Sequence, residues 1–293
     1  MITIAEQVSQ GRTLLSDGAW GTLLLKKGLT LDECPEMWCL THRPDVLEIA
    51  RSYVEAGADM IQTNSFGASR VRLAHYGLSA RASEINEAAA AISREAAGLD
   101  RHVLGSIGPT ALSIAAEEIA QEDIYGAFRE QAIGLERGGA DAVCIETMSA
   151  LDEACLAIRA AREATRLEIV CTFTFERTAS GEYRTLTGIS PTQMARTVLE
   201  AGARVIGANC GNGMAQMIDI VQELRAAAPQ TPILVHANAG LPAIRDGLAV
   251  YPESPEEMAL LVPEILHAGA NIIGGCCGTT PEHIRAFGRA LGR

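Results

Sequence analysis

The chain has 293 residues, 48% hydrophobic, 20% charged and only 4% aromatic, with a formal net charge of −12. An acidic chain without a basic run repels phosphate backbones and anionic bilayers, so neither nucleic acid nor a membrane is expected as a partner. No stretch approaches the ~20 apolar residues that span a bilayer, and the start, MITIAEQVSQGR, lacks the basic and apolar regions of a signal peptide. A cytoplasmic protein is expected, in which the eight cysteines are free thiols or metal ligands rather than disulfides.

The first strand is predicted at 13–19, ending in Asp17 and Gly18, with a helix at 44–56 after it. An amphipathic stretch then closes in Gly-Ala and runs into a β-branched segment, a pattern repeated at 55–66, 137–148, 200–210 and 267–277. The glycine suits a helix C-terminus and the apolar run suits a strand buried on both faces. Three further strands are predicted at 102–110, 168–175 and 231–240. Helical patterns separate them at 83–97, 122–137, 150–165, 191–201, 214–228, 255–267 and 281–291. Ser190-Pro191, Ser254-Pro255 and Thr280-Pro281 each place a capping residue before a first-turn proline.

Strict alternation of strand and helix implies a parallel sheet with right-handed crossovers. Eight units in fewer than 300 residues favour a closed (β/α)8 TIM barrel, an α/β fold in one domain over 1–293. A doubly wound open sheet is the alternative, but no G-x-G-x-x-G follows the first strand.

Active sites of such barrels form at the C-terminal strand ends, where this chain concentrates unusual residues. These are Asp17 and Gly18, then Thr63-Asn64-Ser65, Gly108-Pro109-Thr110, Glu146-Thr147, Asn209-Cys210-Gly211, Asn238-Ala239-Gly240 and Gly274-Gly275-Cys276-Cys277-Gly278. Neighbouring strand residues point to opposite faces, so Cys276 and Cys277 converge only if the glycines around them permit a sharp bend. Cys210, two strands away in the ring, then reaches the same point. Three thiolates would leave one tetrahedral position of a zinc ion open, as in catalytic sites. Buried or redox-active cysteines are the plainer reading of the same residues. An open thiolate-bound zinc suits a substrate thiol, which loses its proton on coordination. Glu146 and Asp17 are candidates to hold an ammonium group, with backbone N–H groups of the glycine-rich strand ends for a carboxylate. Asn209 and Asn238 are candidate substrate contacts or loop ties, and His236 is a buried histidine near the same strand ends.

These residues resemble the homocysteine S-methyltransferase family. The match runs from LLSDGAWGT (14–22) through GADMIQTNSF, GSIGPT, IETM, GANCGNG and NAGLP to GGCCGTTPEHI (274–284), nearly the whole chain. The resemblance implies the barrel, a zinc site of Cys210, Cys276 and Cys277, and homocysteine near Asp17, Glu146 and Asn238. The long C-terminal extension of betaine-dependent members is not expected. Ile107-Gly108-Pro109-Thr110, Thr63-Asn64-Ser65-Phe66 and Arg129-Glu130-Gln131 look like the homocysteine module of cobalamin-dependent methionine synthase. The folate and cobalamin modules of that synthase are not read here, and neither is a D-x-H-x-x-G corrinoid signature. The expectation is a stand-alone enzyme that forms methionine, its methyl-corrinoid donor, fed from methyltetrahydrofolate, supplied in trans by a separate protein. A sulfonium donor (S-methylmethionine or S-adenosylmethionine) and another small thiol are the alternatives. Gln62 and His236-Ala237 depart from common family residues beside the pocket. Exposed helix faces leave room for a homodimer.

Two other function classes compete. A non-catalytic zinc-binding protein would have a closed metal shell. An aldolase-type barrel would need a Schiff-base lysine, and the only lysines, Lys26 and Lys27, lie beyond the first strand.

Overall fold

In the computed structural model, which describes residues 2–112, 114, 116, 119–245 and 248–293, each repeated Gly-Ala step turns as expected. Gly57, Gly139, Gly202 and Gly269 have φ of 96°, 97°, 119° and 120°, left-handed values that only glycine adopts at little cost. Each glycine ends a helix and delivers the chain to a buried strand.

The barrel strands are β1 (Leu14–Leu15), β2 (Met60–Gln62), β3 (His102–Ile107), β4 (Ala142–Met148), β5 (Glu168–Phe173), β6 (Val205–Asn209), β7 (Ile233–Ala237) and β8 (Ile272–Gly275). They pair in parallel in the order β1-β8-β7-β6-β5-β4-β3-β2. The ring closes between β1 and β2 through Asp59, whose N–H donates to Leu15 O at 2.7 Å and whose Oδ2 accepts Leu15 N–H at 2.8 Å. The expected (β/α)8 barrel is therefore the observed fold.

Surrounding helices are α1 (Arg43–Glu55), α2 (Ala82–Ala97), α3 (Gln121–Arg137), α4 (Leu151–Ala164), α5 (Pro191–Ala201), α6 (Met214–Ala227), α7 (Pro255–Leu260), α8 (Val262–Ala268) and α9 (Pro281–Ala290). The single helix expected over 255–267 is two, because Pro263 has no N–H to donate and its ring crowds the preceding turn. Ser190 and Ser254 cap α5 and α7 in capping boxes with Gln193 and Glu257. No helix among the described residues is long and apolar enough to cross a membrane.

Alternation along the strands sorts the interior into layers. Leu14, Met60, Leu104, Ala142, Val170, Val205, Leu234 and Ile272 form a dry inner cluster. Two residues further along six of these strands stand Ser16, Gln62, Ser106, Thr172, His236 and Gly274, so the same inward period becomes polar towards the mouth. Glu146 continues that period on β4 above Cys144.

A helix that the sequence reading missed, Ile4–Ser9, plugs the opposite end. Ile4 joins the inner cluster, and Glu168 accepts the N–H groups of Ile4 and Ala5 at 2.6 and 3.0 Å. One sequence expectation needs correction here. Asp100-Arg101-His102-Val103-Leu104-Gly105 does carry the D-x-H-x-x-G spacing. Its histidine opens β3 at this plugged end, where Nε2 accepts from Gln7 Nε2 at 2.6 Å and Nδ1 is buried. A nitrogen so enclosed has no access to a cobalt ion, and the string is a strand start rather than a corrinoid site.

Candidate metal centre

β6 ends at Asn209, and the next residue, Cys210, has φ of 59°. A non-glycine residue in the left-handed region costs roughly 1–2 kcal/mol, and such a conformation is held only where its surroundings insist on it. Gly211 follows with φ of 70°. Cys210 N–H donates to His236 O at 3.0 Å, and Asn212 N–H donates back to Cys210 O at 2.7 Å. The turn sets the thiol against the end of β8.

There the expected bend is present. β8 stops at Gly275, Cys276 N–H donates to Ala237 O at 2.7 Å, and Cys277 O accepts from Ala239 N–H at 2.9 Å. Gly278 reverses the chain with φ of 82°. Thr279 fastens the turn, its hydroxyl donating to Cys276 O at 2.7 Å and accepting from Ala19 N–H at 3.1 Å. A Cβ on Gly275 would stand 2.3 Å from the Thr279 hydroxyl oxygen, so only glycine fits between them.

The two turns bring the sulfurs together. Cys210 Sγ lies 3.9 Å from Cys277 Sγ, Cys276 Sγ lies 4.0 Å from Cys277 Sγ, and all three fall within 4.8 Å of one another. Zinc–sulfur bonds of about 2.3 Å at tetrahedral angles require sulfur separations of about 3.8 Å. The donor set therefore fits a zinc ion with one position left over. Electrostatics agree. Cys277 is drawn down to about 3 by hydrogen bonds from Cys210, then Cys276, with Tyr251 adding to them. Cys276 moves the other way, pushed up by its hydrogen bond with Cys210, then by that with Cys277 and by burial. A dication at this point would let all three sulfurs ionise.

The sulfurs open on a cavity of about 400 Å³. Gly18, Trp20, Gln62, Ser106, Glu146 and His236 also line it, with Leu24, Phe66 and Thr147 among the others. Of the residues expected from the sequence, Gly18, Glu146 and the three cysteines meet on this wall. Gly18 has no room for a side chain, since a Cβ would stand 2.7 Å from the Thr279 hydroxyl oxygen. Glu146 is pushed up to about 7 by burial, against hydrogen bonds from Ser106 and Gln62.

Asp17, Asn209 and Asn238 do not line the cavity. Asp17 Oδ2 accepts Trp20 Nε1–H at 2.8 Å and Gln62 N–H at 2.7 Å, and burial pushes its carboxyl up to about 7. Asn209 ties β6 to β5 and β4. Its Oδ1 accepts from Thr172 at 2.7 Å and from Thr147 N–H at 2.9 Å, and its Nδ2 donates to the Thr147 hydroxyl at 2.8 Å. Thr147, at φ 61°, is thereby held in a left-handed conformation where the pairing of β4 with β5 shifts register. Asn238 is buried in the turn beside Cys277, its Oδ1 without a protein partner. Sequence reasoning missed Ser106, Trp20 and Thr279. The inward period along β3 was the available signal for Ser106; nothing local marks the other two.

The family model for homocysteine S-methyltransferase matches residues 14–291. Methionine synthases of Mycobacterium leprae and Mycobacterium tuberculosis are 35% and 36% identical over 96% of this chain. The chain spans about a quarter of their length, 24% and 25% respectively. The metallated form of the homocysteine methyltransferase MmuM from Escherichia coli superposes with a TM-score of 0.77 at 24% identity, covering 96% of this chain and 97% of that one. At that identity the likeness speaks for the fold. The chain belongs to the homocysteine S-methyltransferase family.

Proposed function

We propose that this chain is a zinc-dependent methyltransferase that transfers a methyl group to the sulfur of homocysteine, giving methionine. One observation carries the reading: the sulfurs of Cys210, Cys276 and Cys277 gather on the wall of the cavity that Glu146 also lines. Zinc held there supplies the Lewis acidity that makes a thiol a thiolate at neutral pH.

The chain's own residues do the rest. Glu146 offers a carboxylate to the substrate ammonium, and backbone N–H groups at the strand ends receive its carboxylate. Trp20, Leu24 and Phe66 wall the cavity with apolar surface and keep water from the sulfur. Asp17, Asn209 and Asn238 serve behind the wall, Asp17 by fixing Trp20 and the backbone of Gln62. As the sulfur–methyl bond forms, the donor–methyl bond breaks with its electron pair leaving on the donor, and the thiol proton goes to solvent.

We assign the donor as a methyl-corrinoid carried outside these 293 residues. Support comes from the relatives of 35–36% identity, which are named methionine synthases, and from the enclosed position of His102. A sulfonium donor is the alternative.

The test is a joint titration of zinc and homocysteine on wild type and Cys276→Ala, reading metal content, proton release and affinity. One zinc per chain, with a proton released on homocysteine binding and both lost in the variant, is the expected result. Zinc without any homocysteine effect would move the substrate to another thiol, and no zinc would remove the proposal. Product from S-methylmethionine but none from methylcobalamin would overturn the donor.

A further inference from the structure

Glu146 does not sit in the cavity as a free carboxylate. Two neighbours from two other strands act on one of its oxygens. Gln62 Nε2 on β2 donates to Glu146 Oε1 at 2.9 Å, and the Ser106 hydroxyl on β3 donates to that same Oε1. Oε2 accepts from neither, and Glu146 lines the cavity. A carboxylate gripped by one oxygen has its plane fixed, and the other oxygen becomes a directed acceptor.

Gln62 is itself held from three directions. Its N–H donates to Asp17 Oδ2 at 2.7 Å, its carbonyl accepts from Ser93 Oγ at 2.8 Å, and its side chain meets Glu146. The residue is buried, at 7% exposure, and lines the cavity beside Glu146. An amide at this place is neutral and carries two N–H donors. It steadies the Glu146 charge without supplying a counter-charge, so the cation that completes the site comes from the ligand.

We propose that Gln62 and Ser106 are positioning residues that make the site selective for thiols bearing an α-ammonium group, by aiming Glu146 Oε2 at that group. The inference rests on the proposed function and deepens it. It predicts that selection is made at the amino end of the substrate rather than at its sulfur, and so is separable from sulfur chemistry.

The test uses two thiols, homocysteine and 4-mercaptobutanoate, which lacks the amino group. Affinities for both are measured by calorimetry on zinc-loaded wild type, Gln62→Met and Ser106→Ala. Gln62→Met keeps the length of the side chain and removes the donor; Ser106→Ala acts on the same oxygen from another strand, in case one variant fails to fold. Wild type is expected to prefer homocysteine. Each variant is expected to weaken homocysteine about tenfold to a hundredfold, the usual loss for a hydrogen bond to a charged group, and to leave 4-mercaptobutanoate within about twofold, the small change expected where no partnered group is removed. Equal weakening of both thiols, or an undiminished preference for homocysteine in both variants, would overturn the inference while leaving the proposed function standing. Wild type binding neither thiol would overturn both.

Discussion

Asp17 Oδ2 accepts the backbone N–H of Gln62 at 2.7 Å, so a side chain closes the barrel at the mouth where a strand carbonyl would otherwise stand. β1 is only two residues long, and beyond Leu15 its own backbone no longer reaches β2. The same oxygen holds Trp20 over the cavity. Asp17→Ala would leave two buried N–H groups unpaired at about 1–3 kcal/mol each. It should lower stability by about 2–6 kcal/mol in urea denaturation. A change below 1 kcal/mol would show that the seam is held elsewhere.

Burial, the largest cause, pushes both carboxyls up to about 7, from ordinary values of 3.8 for Asp17 and 4.5 for Glu146. The folded state therefore binds more protons than the unfolded one between about pH 4 and 7. Stability contributed by the neutral carboxyls is full below about 4 and falls as pH rises to about 7. Glu146→Gln keeps an acceptor for Ser106 and Gln62 and removes the titration. Denaturation curves from pH 4 to 8 should show a shallower decline in Glu146→Gln than in wild type. Identical slopes would place the titration on other groups.

The glycines of the cysteine turn are demanded by contact rather than by flexibility. A Cβ on Gly275 would meet Thr279 at 2.3 Å, and one on Gly278, at φ 82°, would meet Tyr251 Cβ at 2.3 Å. Either glycine changed to alanine should shift Cys276 and Cys277 and cut zinc content at least tenfold, with the far-ultraviolet circular dichroism of the barrel retained. Full zinc occupancy in Gly275→Ala would contradict the packing argument.

Metal removal should not unfold the chain. The three sulfurs lie in turns beyond the strands, while the core cluster contains none of them. Chelation should lower the melting temperature only by as much as the lost binding energy, RT ln(1 + [Zn]/Kd) at the free zinc present. Collapse of the secondary structure on chelation, as in zinc fingers, would mean that the metal organises the fold.

Glu168 and the Gln7–His102 hydrogen bond tie the N-terminal helix to the barrel. Glu168→Ala removes the acceptor for the N–H groups of Ile4 and Ala5. It should release residues 3–9, read as fast amide exchange there, at a cost of about 1–3 kcal/mol. Unchanged protection would show that Ile4 burial and the Gln7–His102 hydrogen bond suffice.

Much of this molecule is determined by sequence alone. Apolar strands after Gly-Ala steps, spaced by amphipathic helices, favour a closed parallel barrel over an open sheet, and the period of two along each strand separates an oily interior from a polar mouth. Cys210, Cys276 and Cys277 could be picked out because thiols beside glycines at strand ends are chemically conspicuous. The tertiary structure decided which polar residues face the cavity. Asp17 and Glu146 look alike as strand-end carboxylates, yet one is turned onto backbone and indole N–H groups and the other onto the cavity. Asn209 becomes a tie between strands for the same reason: its partners, Thr172 and Thr147, are 37 and 62 residues away in sequence. The Gln62 and Ser106 pair on Glu146 joins three strands, and the helix at Ile4–Ser9 is fixed by Glu168. Hydrogen bonds over such separations depend on ring closure, and no local pattern of residues encodes them.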